Sequence, residues 1–237
     1  MRPIRARAVP ATAAVAMTAV LAGCTTTGST SGDQSSGGAA TATKIRTTID
    51  VPAGFDPAKA LSLPDYLLAR DSYDTLVRKD DGGLVGGLAT QWKNTPTSAT
   101  FTLRSDATCA DGTPITPTVV KGSLDRFLDP KTAAPDLPTV FGPGNTAKVS
   151  ADDAARTVTI TLARPWSDMV TGLSVASTGI VCPAGLKDLK ALAAGKATGS
   201  QSGPYLLQKS QSGVSYTYTL RPGYKAWPAW RTKIPGK

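Results

Sequence analysis

Three cysteines, at positions 24, 109 and 182, and 17 acidic residues are the side chains of this 237-residue chain that could carry out chemistry. Histidine is absent. Without imidazole there is no Ser-His-Asp or Cys-His pairing and no histidine-containing zinc site. Ser-x-x-Lys does not occur either, so serine–lysine acyl transfer is excluded by motif. The acids form no pair suited to acid–base work. Asp152-Asp153 reads as a surface turn before an alternating run, and Asp111-Gly112-Thr113-Pro114 reads as a turn feeding a helix at Pro117. An envelope hydrolase built on two carboxylates is therefore the weakest reading, and no metal or cofactor is called for. Thiol chemistry is what remains.

The first cysteine follows a distinctive leader. Arg2, Arg5 and Arg7 precede an apolar run of 15 residues, Ala8 to Ala22, that ends in Leu21-Ala22-Gly23-Cys24. A basic start, a short hydrophobic middle and small residues at the cut make a secretory signal. The run is short of the roughly 20 residues a bilayer span needs. Leu-Ala-Gly-Cys resembles the lipobox of bacterial lipoproteins. That resemblance implies cleavage before Cys24, a diacylglycerol on its thiol and a place on the outer face of the cell membrane. Residues 25–43 are almost wholly Thr, Ser, Gly, Ala, Asp and Gln, too polar to bury a core, and read as a disordered tether. The organisation expected is a signal peptide over 1–23, a tether over 24–43 and a folded unit over 44–237. The leader holds three arginines and no acid, so the remainder carries +6 against +9 for the whole chain. That excess is scattered rather than gathered in a stripe with aromatics, which argues against nucleic acid.

With Cys24 given to the lipid, Cys109 and Cys182 form an even pair in an exported chain, and a disulfide is the expectation over two free thiols. The elements around them follow from periodicity. Ile45, Thr47 and Ile49 alternate as a short strand. Tyr66, Leu67, Arg70, Tyr73, Leu76 and Val77 fall at helical spacing. Ala99, Phe101 and Leu103 alternate with polar neighbours, as do Val158, Ile160 and Leu162. Thr116-Pro117 opens a helix with Val120, Leu124 and Phe127 on one side. A short helix is expected from Ser167 to Val175, another through Leu186, Leu189 and Leu192, and a strand from Val214 to Leu220. Strands and helices mix without a strict βαβ rhythm, so the class is α+β, or mixed α/β.

Several segments in order carry a wider resemblance: Leu88-Ala89-Thr90-Gln91-Trp92, Thr100-Phe101-Thr102-Leu103-Arg104, Asp111-Gly112-Thr113-Pro114-Ile115-Thr116, Ser202-Gly203-Pro204-Tyr205, then Tyr218-Thr219-Leu220-Arg221 and Tyr224. Together they resemble the extracellular solute-binding proteins of oligopeptide and dipeptide ABC importers, family five. Cys109 stands where the family usually has an aromatic residue, a variant that looks like actinobacterial members. The resemblance implies the first lobe of a two-lobed clamshell, with the chain stopping where that lobe crosses to the second. It also implies a peptide or small-solute ligand, an ABC permease in the membrane as partner, and no enzymatic activity. Tyr73 and Asp74 sit where the family places a Tyr-Glu pair near the cleft, which makes them the candidate ligand contacts. Trp92 and Gly203-Pro204-Tyr205 read as packing and turn residues. The competing reading is a truncated, non-transporting remnant or a structural envelope lipoprotein.

The leader yields the first prediction. Wild-type protein incorporates labelled palmitate and fractionates with membranes, whereas Cys24→Ser takes no label and is left uncleaved or released. Wild-type protein that is unlabelled and free in the medium overturns the lipoprotein expectation.

Overall fold

Ser62 and Pro64 set the start of the first helix, α1 (Leu63–Ser72). The serine holds an extended conformation just before it, and the fixed φ of proline suits a first turn. The computed structural model describes residues 44–226; the leader, Cys24 and the tether lie outside the described residues. Asp65, in the first turn, accepts backbone hydrogen bonds from Ala53 at 2.8 Å and from Leu61 and Ser62 at 3.0 Å each. One carboxylate thus fastens the incoming loop to the helix.

The helix stops earlier than its spacing predicts. Tyr73 is extended, with φ −132 and ψ 131, and Val77 opens a strand, β1 (Val77–Asp80), paired antiparallel with β2 (Gly83–Gly86) across an Asp-Gly turn. The cause is competition for backbone. The N–H groups of Gly87 and Ala89 donate to the Leu76 carbonyl and that of Leu88 to the Thr75 carbonyl, so these residues cannot also serve a helix. The strand expected at Ile45–Ile49 does not form either. That segment has no ladder partner among the described residues, and Ile45 is 76% exposed.

The core lies beneath a four-stranded antiparallel sheet of β3 (Ala89–Thr95), β4 (Ser98–Leu103), β5 (Ala147–Asp152) and β6 (Thr157–Leu162), in the order β3-β4-β6-β5. Alternation decides the faces. Ala99, Phe101, Leu103, Val158, Ile160 and Leu162 point inward and are buried. The outward residues pair as Ser98 with Thr161, Thr100 with Thr159 and Thr102 with Thr157, and the Thr100 and Thr159 hydroxyls are 2.9 Å apart. Helix α2 (Pro117–Leu128) covers the inner side at β5 and β6 with Val120, Leu124 and Phe127. Burying each of these side chains contributes roughly 1.5–3 kcal/mol. Thr116 caps α2 by accepting from the Val119 N–H at 3.3 Å. Asp153, in the β5–β6 turn, takes both the N–H and the hydroxyl of Thr118, at 2.9 and 2.8 Å. The turn residue thereby caps the helix.

The remaining elements are short: α3 (Leu137–Phe141), α4 (Met169–Gly172), α5 (Pro183–Lys187), α6 (Leu189–Ala193) and a hairpin of β7 (Tyr205–Gln211) and β8 (Ser215–Leu220). Phe141 of α3 meets Phe127 edge-on at 6.2 Å. The helix expected over Ser167–Val175 is confined to α4. The one expected through Leu186–Leu192 is two, broken at Asp188, whose carboxylate accepts from the Ala191 N–H at 2.8 Å and restarts the chain as α6. Gly203 is required for close approach: a Cβ there would stand 2.6 Å from the Ser72 carbonyl carbon.

Cys109 and Cys182 are joined, with Cα atoms 6.0 Å apart across 73 residues of sequence, and both are buried. The bridge ties the loop before α2 to the start of α5. A loop of that length restrains the unfolded chain by about 4 kcal/mol in the chain-entropy treatment. The paired variant Cys109→Ala/Cys182→Ala is therefore expected to lose about 2–4 kcal/mol in urea unfolding. Denatured, unreduced wild-type protein should resist thiol alkylation at both positions; labelling at either would show that the bridge does not form.

Candidate functional site

Helix α1 is apolar on both sides. Leu68 and Ala69 face the core and are buried, while Leu63 and Leu67 remain 70% and 44% exposed. Residues 63, 66, 67 and 70 recur at helical spacing and share the outer face, so Tyr66 and Arg70 lie in the same stripe as the two leucines. Leu61, just before the helix, is also exposed. Large apolar side chains gathered on the solvent side of a helix make it a candidate contact surface.

The stripe borders a cavity of about 380 Å³ lined by Tyr66, Leu67, Arg70, Asp136, Val175 and Ala176. Asp136, just before α3, accepts from the Tyr66 hydroxyl at 3.0 Å and from the Ser177 hydroxyl at 2.6 Å. Burial and the Asp136 carboxylate push the Tyr66 hydroxyl up to about 12, so it stays protonated and donating at neutral pH. Arg70 reaches across to the Ser174 carbonyl at 2.9 Å. Burial, and then the nearby positive charge of Arg78, lower its pKa, yet a guanidinium starts so high that it remains a cation. The pocket therefore presents a cation, a carboxylate and a phenol on an apolar floor. A second cavity, of about 470 Å³, adjoins it: Val175 lines both, and Pro138, Pro143 and Trp166 form the walls of the second.

Tyr73 and Asp74 line neither cavity. Tyr73 is buried, with its hydroxyl 3.3 Å from that of Ser200. Asp74 is a buried junction. Its Oδ1 lies 2.6 Å from Arg78 Nη2, and its Oδ2 accepts from the Tyr224 hydroxyl at 2.8 Å. Its N–H donates to the Ser202 hydroxyl at 2.9 Å and its carbonyl accepts from the Ile180 N–H at 2.8 Å. Burial and the Asp74 charge together hold the Tyr224 hydroxyl protonated far above its ordinary range. Trp92 is half-buried on β3 at the sheet edge. Sequence reasoning missed the outer stripe of α1 and Asp136. The available signal was a helix with leucines at 63, 67 and 68, too many for one buried side. Among the described residues no group of three acids or cysteines is placed to hold a metal ion.

Mixed helices and short strands with an open, largely apolar trough on one side have the build of a lobe from a periplasmic-binding-protein fold. Residues 83–235 match the family model described as bacterial extracellular solute-binding proteins, family 5 Middle. The chain belongs to the bacterial extracellular solute-binding proteins of family 5. It is 33% identical over 191 residues to the probable D,D-dipeptide-binding periplasmic protein DdpA of Escherichia coli, a match spanning 73% of this chain and 34% of that protein. It is 45% identical over 93 residues to the periplasmic murein peptide-binding protein MppA of the same species, covering 38% of this chain and 17% of that one. Among solved structures, a substrate-binding protein from Microbacterium hydrocarbonoxydans, complexed with 4-hydroxybenzoate hydrazide, superposes with a TM-score of 0.74 at 52% identity. That match takes in 80% of this chain and 39% of the other. The chain thus spans little more than a third of the length of such relatives.

Asp65 anchors the start of α1, and with it one end of the outer stripe, to the loop before it. Burial works against its charge, but the backbone donors at Leu61, Ala53 and Ser62 and the Ser62 side chain prevail and lower its pKa. Asp65→Asn sets an amide N–H against those donors and is expected to cost about 1–3 kcal/mol at pH 7. With the folded pKa depressed, the stabilisation is full above about 3.9, the unfolded value, and is lost as pH falls through the lower folded value. Urea unfolding of wild type and variant at pH 7 and at pH 3 checks it: the gap narrows in acid.

Proposed function

We propose that the trough along α1 is one wall of a solute-binding cleft, and that the chain is the lipid-anchored, extracytoplasmic binding component of an ABC importer for peptides or similar solutes. The observation that carries this reading is the outward stripe Leu63, Tyr66, Leu67 and Arg70 beside Asp136. Apolar side chains leave room for varied ligand side groups. The Arg70 guanidinium suits a carboxylate or carbonyl, and the Asp136 carboxylate suits an amide or ammonium donor. Family membership supports it, as do the peptide ligands in the names of the DdpA and MppA relatives. The hydrazide complex of the Microbacterium protein widens the ligand class to small solutes with an amide-like polar group.

Tyr73 and Asp74 act on this cleft from behind, by fixing the end of α1. A lipid on Cys24 holds the protein beside its permease, a local-concentration effect. Closure around a ligand then needs differential affinity for the open and closed forms. One wall by itself leaves a ligand far short of the 70–90% burial typical of small-molecule sites, so binding to it alone is weak.

Titration of the isotope-labelled full chain with Ala-Ala-Ala tests the reading. The amide resonances of Leu67, Arg70 and Ala176 should move together, and Arg70→Gln should weaken the response at least severalfold. Saturable shifts confined to another surface, or none at all up to the solubility of the peptide, would refute it.

A further inference from the structure

The larger cavity is built around one indole. The Trp166 N–H of the backbone donates to the Pro96 carbonyl at 2.7 Å, and its ring Nε1–H donates to the Thr139 carbonyl at 3.3 Å. Gly142, with φ +91, gives the ring its seat: a Cβ there would stand 3.0 Å from Trp166 Cδ2 and 3.1 Å from Cε3. Only glycine combines that backbone conformation with room for the indole.

The loop that carries Gly142 is itself locked. Asn145 donates to the Phe141 carbonyl at 2.8 Å and the Arg164 carbonyl at 2.9 Å, and accepts from the Arg164 N–H at 3.0 Å. Arg164 in turn donates to the Pro143 carbonyl at 3.0 Å and to the Gly144 carbonyl. Two prolines and a pinned indole therefore form walls whose shape is set before any ligand arrives. A preformed slot escapes much of the ordering cost of binding. Its volume of about 470 Å³ lies within the roughly 300–1,000 Å³ usual for ligand sites.

The chemistry of the lining selects the occupant. Indole and proline faces favour a flat aromatic ring, which gains offset or edge contacts beyond its buried area. Asp168 lines the same slot, so a carboxylate on the ring is repelled while a phenol hydroxyl finds an acceptor. Val175 joins this slot to the pocket of Arg70 and Asp136, so one ligand can occupy both.

We propose that the Trp166 slot is a subsite for an uncharged or hydroxylated aromatic ring, carried by a solute whose polar part lies along Arg70 and Asp136. The assignment rests on the solute-binding reading above and narrows it to ring-bearing ligands, whether a peptide side chain or an aromatic acyl amide.

The test uses the isotope-labelled full chain and three probes: Ala-Phe-Ala, 4-hydroxybenzoate hydrazide and Ala-Ala-Ala. The indole resonance of Trp166 is identified by its loss in Trp166→Phe. Both ring-bearing probes should move that resonance and the Val175 amide, while Ala-Ala-Ala moves Leu67 and Arg70 without it. Trp166→Ala should weaken the ring-bearing probes relative to Ala-Ala-Ala by about three- to tenfold. Thr171→Phe, from an exposed position on the slot, should block them the same way without touching the core. Shifts at Leu67 and Arg70 with a silent Trp166 overturn the subsite and leave the solute-binding reading standing. Ring binding undiminished by Thr171→Phe overturns it too. If no probe moves any resonance of either cavity, both readings fall. A response to the hydrazide but not to Ala-Phe-Ala assigns the subsite to acyl-type rings; the converse assigns it to peptide side chains.

Discussion

A single buried carboxylate organises the part of the molecule where its segments converge. Asp74 lies between α1 and β1, and each of its four polar groups is taken by a different stretch of chain. Arg78 and Tyr224 hold the side chain, Ser202 the N–H and Ile180 the carbonyl. A charge removed from water must be paired and hydrogen-bonded or it is strongly destabilising. Together these bonds join the end of α1 and the start of β1 to the segments near 180, 202 and 224. Ser202 extends the junction, because its hydroxyl also donates to the Ile180 carbonyl at 2.6 Å. Arg221 adds a stacked cation 5.1 Å from the Tyr224 ring centre, while donating to the Thr108 carbonyl at 2.6 Å. The outer stripe of α1 owes its position to this junction at one end and to Asp65 at the other.

The sheet and α2 were legible in the sequence because each is governed by a short-range rule. Period-two alternation in 98–103 and 157–162 leaves one choice of buried face, and Thr116-Pro117 can begin a helix but not continue one. The errors came where distant backbone decides. The helical spacing of 66–77 gave no hint that Gly87 to Ala89 would claim the carbonyls of Thr75 and Leu76. The alternation of Ile45–Ile49 was real, but a strand is defined by its neighbour. Gly203 reads as a turn residue, and the constraint on it is the Ser72 backbone pressed against it. In each case the missing information is a contact between residues far apart in sequence.

The candidate site divides in the same way. Tyr73 and Asp74 stand out because the family resemblance places a Tyr-Glu pair near the cleft there, and both make internal bonds. The residues that face the trough looked ordinary: leucines of a helix, an aspartate in a proline-rich loop, a tryptophan after Arg164-Pro165. Binding surfaces in this lobe consist of what packing leaves over, so they become visible only once the packed side of each element is known. Resemblance to family 5 pointed to a cleft without locating its wall in this chain. The exposed side of α1 and the cavities beside α3 and α4 are where the proposal above puts it.

The bridge between Cys109 and Cys182 divides the trough topologically. It closes a covalent ring containing α2, α3, β5, β6 and α4, hence every wall of the Trp166 slot. Helix α1 lies outside that ring, on an open stretch of chain. The two cavities therefore differ in how they can come apart. The slot is walled wholly by residues inside the ring, whereas the Arg70 pocket joins residues inside it to the helix outside it. The trough is an open-chain edge laid against a covalently closed frame.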